Sequence, residues 1–393
     1  TLVTISLAGS LFFSVSPTEA KGRVLLYLLL TIAPFAVVSP LLGPLIDRSV
    51  AGRRALIAAS ALARGVLCLL MAEHLSSLWL YPEAFAILVA SKLYGVTRGT
   101  LVPEMARSDQ FAEHGADLDH AGWPTARAGD AEGYAGFNAQ LSLLGTLAGL
   151  LIGIVGAGVL KGLGAPSVLG VAVAVYLGAA VASFRLPRPA ASVRQRFASL
   201  SQEERDRRTL NPFGDAEVSW GLTAAALMRF AVGFATFLMA FGLRRAHAAL
   251  FWYGLVLALS AVGSLAGLGL VTRARTALSE STLLALSLLG VAIGSGVVSA
   301  RPTFVAQAIF VGWLGLCAAV AQPSFDAITQ RHVPMAAQGR TFALLAVRQQ
   351  LLWVVGALIP VAVSLSFVVG DRALCVVAGV GAIVYRLGRR SSS

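Results

Sequence analysis

The stretch Gly43-Pro-Leu-Ile-Asp-Arg-Ser-Val-Ala-Gly-Arg-Arg54 separates two long apolar runs, of which one ends near Ile46 and the next begins at Ala55. A short polar segment between two such runs predicts a tight turn at a membrane surface. Its glycines allow the backbone to approach closely, and Asp47 can cap a helix or pair with a neighbouring arginine. The stretch therefore predicts two membrane-spanning helices that are joined at the membrane surface.

The composition of the whole chain predicts a protein with many membrane spans. Of its 393 residues, 57% are hydrophobic and only 13% are charged, which excludes a soluble domain of this size. The formal charge of +12 would suit a nucleic-acid partner if the basic residues shared one face, but they lie in loops on one side of the membrane, so we expect no nucleic acid. The three cysteines lie in apolar runs without the spacing of a disulfide framework.

Twelve apolar runs divide the chain into two halves. A bilayer about 30 Å thick needs about 20 residues per helix. The first six runs predict an N-terminal six-helix bundle over residues 1–184, with a truncated first helix and an acidic insert at 99–135. Residues 185–219 carry seven arginines and three prolines and predict a cytoplasmic linker. The last six runs predict a C-terminal six-helix bundle with a basic tail over 220–393, so the fold class is an all-α membrane protein with twelve transmembrane helices.

The Lys and Arg residues predict the orientation. Of the 31 in the chain, 21 fall on the side of the Gly43–Arg54 loop and seven fall on the opposite side. Because cytoplasmic loops carry the excess of basic residues, that loop and both termini are predicted to be cytoplasmic. We expect a multi-pass protein of the plasma membrane.

Six residues of the opening stretch match a family motif: Gly43, Asp47, Arg48, Gly52, Arg53 and Arg54. In this setting the stretch resembles the loop between helices 2 and 3 of the major facilitator superfamily, and the resemblance extends over nearly the whole chain. It implies two pseudo-symmetric bundles that rock around a central site by alternating access. An ordinary positive-inside turn is the alternative.

The resemblance also implies a conformational latch built from those six residues and Glu104. In the family, the acid at the position of Asp47 packs near the start of helix 11, here around Gly339 and Arg340. The arginines of the same loop pair there with an acid at the end of helix 4, for which Glu104 is the nearest candidate.

Three basic residues lie inside predicted spans, namely Arg64, Lys92 and Arg229. A charged side chain at such depth costs about 3 kcal/mol, so each is a candidate substrate-binding residue. Arg64 and Arg229 lie about 15 Å deep, and basic groups outnumber acidic ones at depth, which favours an anionic substrate. Lys92 and Arg229 are favoured over Arg64 because helices 4 and 7 line the cavity in the family. Structural ion pairs, side chains that reach the interface and interhelical hydrogen bonds are the alternatives.

Polar and aromatic residues on the late helices extend the predicted substrate site. Gln322 lies on predicted helix 10, and Gln349 and Trp353 lie on predicted helix 11. Such a surface suits an amphipathic substrate, and it suits ordinary interhelical packing equally well. These three residues join Arg229, Lys92 and Arg64 in the predicted substrate-binding set.

Two acids are candidates for proton coupling, Glu83 and Asp326. Glu83 lies in the outer half of the membrane and Asp326 lies at the inner mouth, so neither is at the midplane. Glu83 also follows Tyr-Pro, where an acid simply favours the positive end of a helix dipole. A proton antiporter needs a carboxylate in the cavity that changes its protonation, so this placement weakens the prediction of an antiporter.

The insert at 99–135 contains seven acidic groups. Within it His114, Asp117 and His120 are of the residue types that bind divalent metals. We expect a solvated insert without a resident metal.

Together these features predict secondary active transport, with export of a small amphipathic or anionic compound and with a proton or another ion as the coupling partner. The chain has no phosphate-binding Gly-x-x-x-x-Gly-Lys-Ser/Thr sequence and no nucleophile set, so we expect no cofactor and no enzyme activity. A monomer in contact with membrane lipids is expected. The alternatives are a lipid or lysophospholipid transporter and, from another class, a receptor or scaffold of the same fold that does not transport.

Overall fold

The computed structural model describes residues 52–75, 77, 79–80, 82–91, 93–95, 97, 133–185, 215–274, 277–333 and 338–390. Most of them form the α-helices Gly52–Glu73 (α1), Gly133–Leu163 (α2), Ala165–Ser183 (α3), Ala216–Arg245 (α4), Leu250–Ala274 (α5), Glu280–Ala300 (α6), Phe304–His332 (α7), Gln338–Ala362 (α8) and Phe367–Arg390 (α9). Residues 82–91 are helical as well. Over these ranges the structure has no strand, and the predicted all-α fold is confirmed.

The nine labelled helices are each long and apolar enough to cross a membrane. They match nine of the twelve predicted runs, beginning with the run that follows the Gly43–Arg54 stretch. The predicted spans at 1–15 and 24–46 lie outside the described residues, and the span at 79–98 is described in part. The chain is therefore a multi-pass membrane protein.

Side-chain caps explain where three of the helices begin. The side chains of Asp215, Ser279 and Thr303 accept hydrogen bonds from backbone N–H groups three residues further on, at the starts of α4, α6 and α7. Each cap satisfies a donor that the first helical turn cannot satisfy itself, which contributes about 1 kcal/mol. The starts of these helices are thus encoded locally.

The described residues form two compact units. Unit 1 contains α1, the helical segment 82–91, α3, the part of α2 from Leu144 and the part of α8 up to Leu344. Unit 2 contains α4 to α7, α9, the part of α2 up to Leu143 and the part of α8 from Leu345. The bundle boundaries at 184 and 220 remain a prediction.

Unit 1 is held together by apolar packing between α1 and α3. Cys68 and Met71 of α1 are fully buried, as are Val168 and Leu169 of α3. A smaller cluster joins Phe342 and Ala343 of α8 to side chains of α1 and of the partly described fourth predicted span.

Unit 2 depends on close approach between helix backbones. On α5, a Cβ at Gly263 would overlap the carbonyl oxygen of Gly312 on α7, and one at Gly267 would overlap the carbonyl oxygen of Leu316. Lipid tails are as apolar as leucine, so helix association in a membrane relies on such close packing of small residues. The α5–α7 contact therefore contributes strongly to the stability of this unit.

Substitution within α5 tests this packing. We expect Gly263→Ala to lower the free energy of unfolding by about 1–3 kcal/mol, because the added methyl group forces two backbones apart. Gly269→Ala on the same helix is the matched control, since a Cβ there meets nothing within 4 Å. Thermal unfolding in detergent, followed by tryptophan fluorescence, measures both. Equal midpoints for the two variants would contradict the packing account.

Candidate functional site

The exposed residues in the middle of α4 are all polar. Between Gly221 and Leu243 only Thr223, Arg229 and Thr236 are exposed. The seven-residue spacing of Arg229 and Thr236 places these two on one side of the helix, whereas Thr223 lies about 120° away from Arg229. Arg229 lies about 20 Å along the helix from its start. Lipid would favour apolar side chains on such a face, so this one fits a polar space better than lipid tails.

Arg229 is held by two amide groups from two other helices. Its Nε–H donates to Oε1 of Gln349 on α8 at 3.4 Å, and one of its terminal nitrogens donates to Oε1 of Gln322 on α7 at 3.1 Å. Nε2 of Gln322 in turn donates to Oδ1 of Asp326 at 2.9 Å. These four residues, Arg229, Gln322, Asp326 and Gln349, are called the Arg229 cluster below.

The partners of Arg229 leave its charge in place. Amide oxygens are neutral acceptors, and Asp326 influences the guanidinium electrostatically while accepting a hydrogen bond from Gln322. A guanidinium carries five N–H donors, and two of them are bonded to described residues. The cluster therefore presents a positive group that can still donate hydrogen bonds to an anion.

Two glycines bring α4 and α8 together next to the cluster. A Cβ at Gly233 would overlap the carbonyl oxygen of Trp353, and a Cβ at Gly356 would overlap the carbonyl oxygen of Phe230. Gly233 follows Arg229 by one helical turn, and Trp353 follows Gln349 by one turn. The crossing thus places Gln349 opposite Arg229.

Aromatic residues lie within about two helical turns of the cluster on α4 and α8. The ring of Phe237 meets Trp353 edge-on with centroids 6.0 Å apart, and Phe230 stacks on Phe234 at 6.0 Å. A basic group beside aromatic surface suits a ligand that has both an anionic and an apolar part.

Arg64 has a different environment, within unit 1. It is 8% exposed, and its guanidinium lies 4.9 Å from the ring centroid of Tyr94 and 4.7 Å from that of Tyr176. Its Nε–H donates to the carbonyl oxygen of Ser60. Two cation–π contacts stabilise the buried charge, so these contacts favour the structural alternative for Arg64.

Glu83 pairs with a histidine at the end of α1. Its Oε1 lies 2.6 Å from Nδ1 of His74, and its Oε2 has no hydrogen-bond partner among the described residues. Glu83 also stands near the start of the helical segment 82–91, as its Tyr-Pro context predicts. Of the two predicted coupling acids, only Asp326 joins the Arg229 cluster.

The structure describes the remaining predicted site residues only in part or not at all. Those outside the described residues are Gly43, Asp47, Arg48, Lys92, Glu104, His114, Asp117 and His120. Gly52, Arg53 and Arg54 form the first turn of α1, and their side chains are not described. The latch, the Lys92 contribution and the metal ligands of the insert stay predictions. In the part of the chain that the structure describes, no three metal-binding side chains come together.

The sequence interpretation missed a buried polar pair, Asp371 on α9 and Gln307 on α7. It began the last span at residue 371 and so treated the acid as a boundary residue, whereas α9 begins at Phe367. An acid within an apolar run was the available signal.

Comparison with known sequences finds mycobacterial relatives. No family model matches the chain. An uncharacterized protein of Mycobacterium leprae is 30% identical over 412 residues, covering 95% of this chain and 66% of the relative. An uncharacterized protein of Mycobacterium tuberculosis is 31% identical over 300 residues, covering 67% of this chain and 49% of the relative. The chain thus spans about half to two thirds of the length of these relatives.

Comparison with solved structures identifies the fold. A bacterial homologue of the iron transporter ferroportin matches with a TM-score of 0.64 and 18% identity, over 98% of this chain and 94% of its own. A human organic anion transporter matches with a TM-score of 0.65 and 16% identity, over 97% and 87%. The fucose:proton symporter of E. coli matches with a TM-score of 0.66 and 10% identity, over 98% and 93%. The chain has the major facilitator fold.

In a major facilitator chain of twelve helices, α4, α7 and α8 are the predicted helices 7, 10 and 11. The Arg229 cluster therefore belongs to the predicted C-terminal bundle. Identities of 10–18% establish this fold alone, and the role of the site must be argued from its own chemistry.

We expect the two arginines within membrane spans, Arg64 and Arg229, to differ in how much stability is lost on neutral substitution. We expect Arg64→Met to lower the free energy of unfolding by about 2 kcal/mol, because two tyrosine rings lose their cation. Arg229→Met, the matched control at similar depth, should change it by less than about 1 kcal/mol, since the side chain of Arg229 is itself exposed, unlike that of Arg64. Chemical denaturation in detergent, followed by circular dichroism, measures both. A larger loss for Arg229→Met would contradict the assignment.

Proposed function

We propose that the chain is a secondary active transporter that binds an anionic, amphipathic compound at the Arg229 cluster. The observation that carries the proposal is an exposed guanidinium in the middle of a membrane helix that donates hydrogen bonds to two neutral amides. A scaffold has no need of such a group, whereas a carrier of anions needs it.

The energetics support a binding role. A guanidinium at this depth costs about 3 kcal/mol to insert, and a carboxylate partner would offset the cost more fully than an amide does. A substrate carboxylate or phosphate can supply the missing negative charge through two parallel hydrogen bonds. Binding and release of the anion then change the net charge of the site, and this change can favour different arrangements of the helices in a cycle of alternating access.

Gln322 links the anion site to Asp326. The same amide accepts a hydrogen bond from Arg229 and donates one to the carboxylate of Asp326. Protonation of Asp326 removes a negative charge close to the guanidinium and therefore strengthens anion binding. For a proton-driven process this sign favours movement of the proton and the anion in the same direction, over the antiport and export that the sequence suggested.

Two of the structural neighbours are described as a transporter of organic anions and as a proton symporter. Their fold and cargo support the proposal by analogy only. The nearby Phe237 and Trp353 favour an anion with an apolar part, which keeps a lysophospholipid as the second candidate substrate. The positive-inside pattern supports placing the chain in the plasma membrane with both termini in the cytoplasm.

A thermal-shift experiment tests the binding site. The probes are laurate, lysophosphatidylglycerol and the neutral glycerol ester of lauric acid, each added to the purified chain. A ligand at 100 times its Kd stabilises the folded state by about 2.7 kcal/mol, so we expect laurate to raise the unfolding midpoint by several degrees. Arg229→Gln should abolish that rise. The matched control Arg301→Gln, which removes an exposed arginine at the end of α6, should retain it.

The outcomes separate the candidates. Stabilisation by lysophosphatidylglycerol well above that by laurate, lost in Arg229→Gln, would favour lipid transport. Stabilisation by either anion that persists in Arg229→Gln would exclude the Arg229 cluster as the site.

A transport assay tests the coupling. In proteoliposomes with an inward proton gradient, we expect the probe that stabilises best to accumulate in the direction of proton flow. Asp326→Asn should abolish accumulation but leave exchange of the probe across the membrane within about twofold of wild type, because the substitution removes only the titrating group. Glu83→Gln is the control and should accumulate the probe normally. No movement of any probe by the wild-type protein would leave the receptor or scaffold as the better account.

A further inference from the structure

A second polar site lies in unit 2 near the N-terminal end of α9. Asp371 is fully buried, and its Oδ2 accepts a hydrogen bond from Nε2 of Gln307 on α7 at 2.5 Å. Gln307 is itself only 2% exposed. Oδ1 of Asp371 is buried and has no hydrogen-bond partner among the described residues. The site is thus a carboxyl group with one bonded and one unbonded oxygen.

Close packing with α4 encloses this carboxyl group. A Cβ at Gly370 would overlap the side chain of Leu238, and a Cβ at Gly242 would overlap the ring of Phe367. Both contacts join α4 to α9 beside Asp371. The small residues allow the two helices to exclude solvent from the acid.

No cation neutralises Asp371 within the described part of the chain, where the ion pairs found involve other acids. Several basic groups lie at the same ends of the neighbouring helices, and all of them are exposed: Arg244, Arg245, His247, Arg301 and Arg372. Arg245 is engaged with the carbonyl oxygen of Leu365. On α7, Gln307 supplies the neutral contact to the acid.

An ionised carboxylate buried without a cation costs several kcal/mol. A proton removes this cost and needs only one free oxygen, which Oδ1 provides. A metal cation would need several oxygen ligands, and no second side-chain oxygen at this site is unpartnered among the described residues. The chemistry of the pair therefore suits a proton better than a metal ion.

We propose that Asp371 and Gln307 form a proton-binding site. The carboxylate takes up one proton on Oδ1 to become a neutral acid, while the amide of Gln307 donates to Oδ2. Deprotonation returns the proton to water when the surrounding helices open.

The position of Gln307 connects this site to the Arg229 cluster, a step that rests on the proposed transport function. Gln307 lies on the same helix as Gln322, 15 residues earlier, which is about 22 Å along the axis. A movement of α7 displaces both amides. Proton binding at one end of α7 and anion binding near the other can then favour the same arrangement of the helix.

Infrared spectroscopy of the full chain in lipid nanodiscs tests the proton site without any substrate. We expect the wild type at mildly acidic pH to show the C=O stretching band of a buried protonated carboxylic acid. Asp371→Asn should lose the intensity of one carboxyl group, whereas the control Glu83→Gln should keep it. Because no substrate is present, a failure of the transport proposal would leave this result unchanged.

A second variant keeps the test decisive if Asp371→Asn does not fold. Gln307→Leu removes the hydrogen bond to Oδ2, so its carboxylic acid band should move to higher frequency while keeping its area. A wild-type band that is the same in Asp371→Asn, or a band that does not move in Gln307→Leu, would overturn the proposal. A carboxylate band that responds to NaCl in place of pH would overturn it in favour of a metal ion.

Discussion

The central constraint on this protein is that a guanidinium in the middle of a membrane helix must be held without being neutralised. Arg229 meets it through the amide oxygens of Gln322 and Gln349, which accept hydrogen bonds but contribute no charge. A carboxylate in either place would form a closed ion pair, and that pair would compete with any anion. The neutral partners keep the site electrostatically open, and the proposed anion binding follows from that openness.

Close contacts between helix backbones at glycine residues fix the positions of the groups around Arg229. Gly233 and Gly356 let α4 and α8 meet backbone to backbone, so the amide of Gln349 stands opposite Arg229 with little freedom. Arg64 is stabilised differently, because two tyrosine rings enclose its guanidinium, whereas Asp371, like Arg229, has an amide as its bonded partner. The charge of Arg64 is stabilised by its own surroundings and therefore has a structural role. Arg229 and Asp371 lack an opposite charge among their bonded partners, so they remain able to bind an anion and a proton.

The fold could be predicted from the sequence because apolar run length and the distribution of arginines report directly on membrane spans. Arg229, Gln322 and Gln349 could be nominated because polar residues in such runs are costly and therefore conspicuous. Their mutual contacts could not be predicted, since they join helices 93 and 120 residues apart in the chain. The tyrosines around Arg64 were missed for the same reason, because aromatic residues in apolar runs carry no signal of a cation–π role.

A reversal of charge at position 229 tests the account most directly. The binding of laurate and of dodecylammonium would be compared by calorimetry for the wild-type protein and for Arg229→Glu. The account predicts that the wild type prefers laurate by at least about tenfold, which corresponds to about 1.4 kcal/mol, and that the variant prefers dodecylammonium. An unchanged preference for laurate in the correctly folded variant would contradict the claim that Arg229 binds the anion.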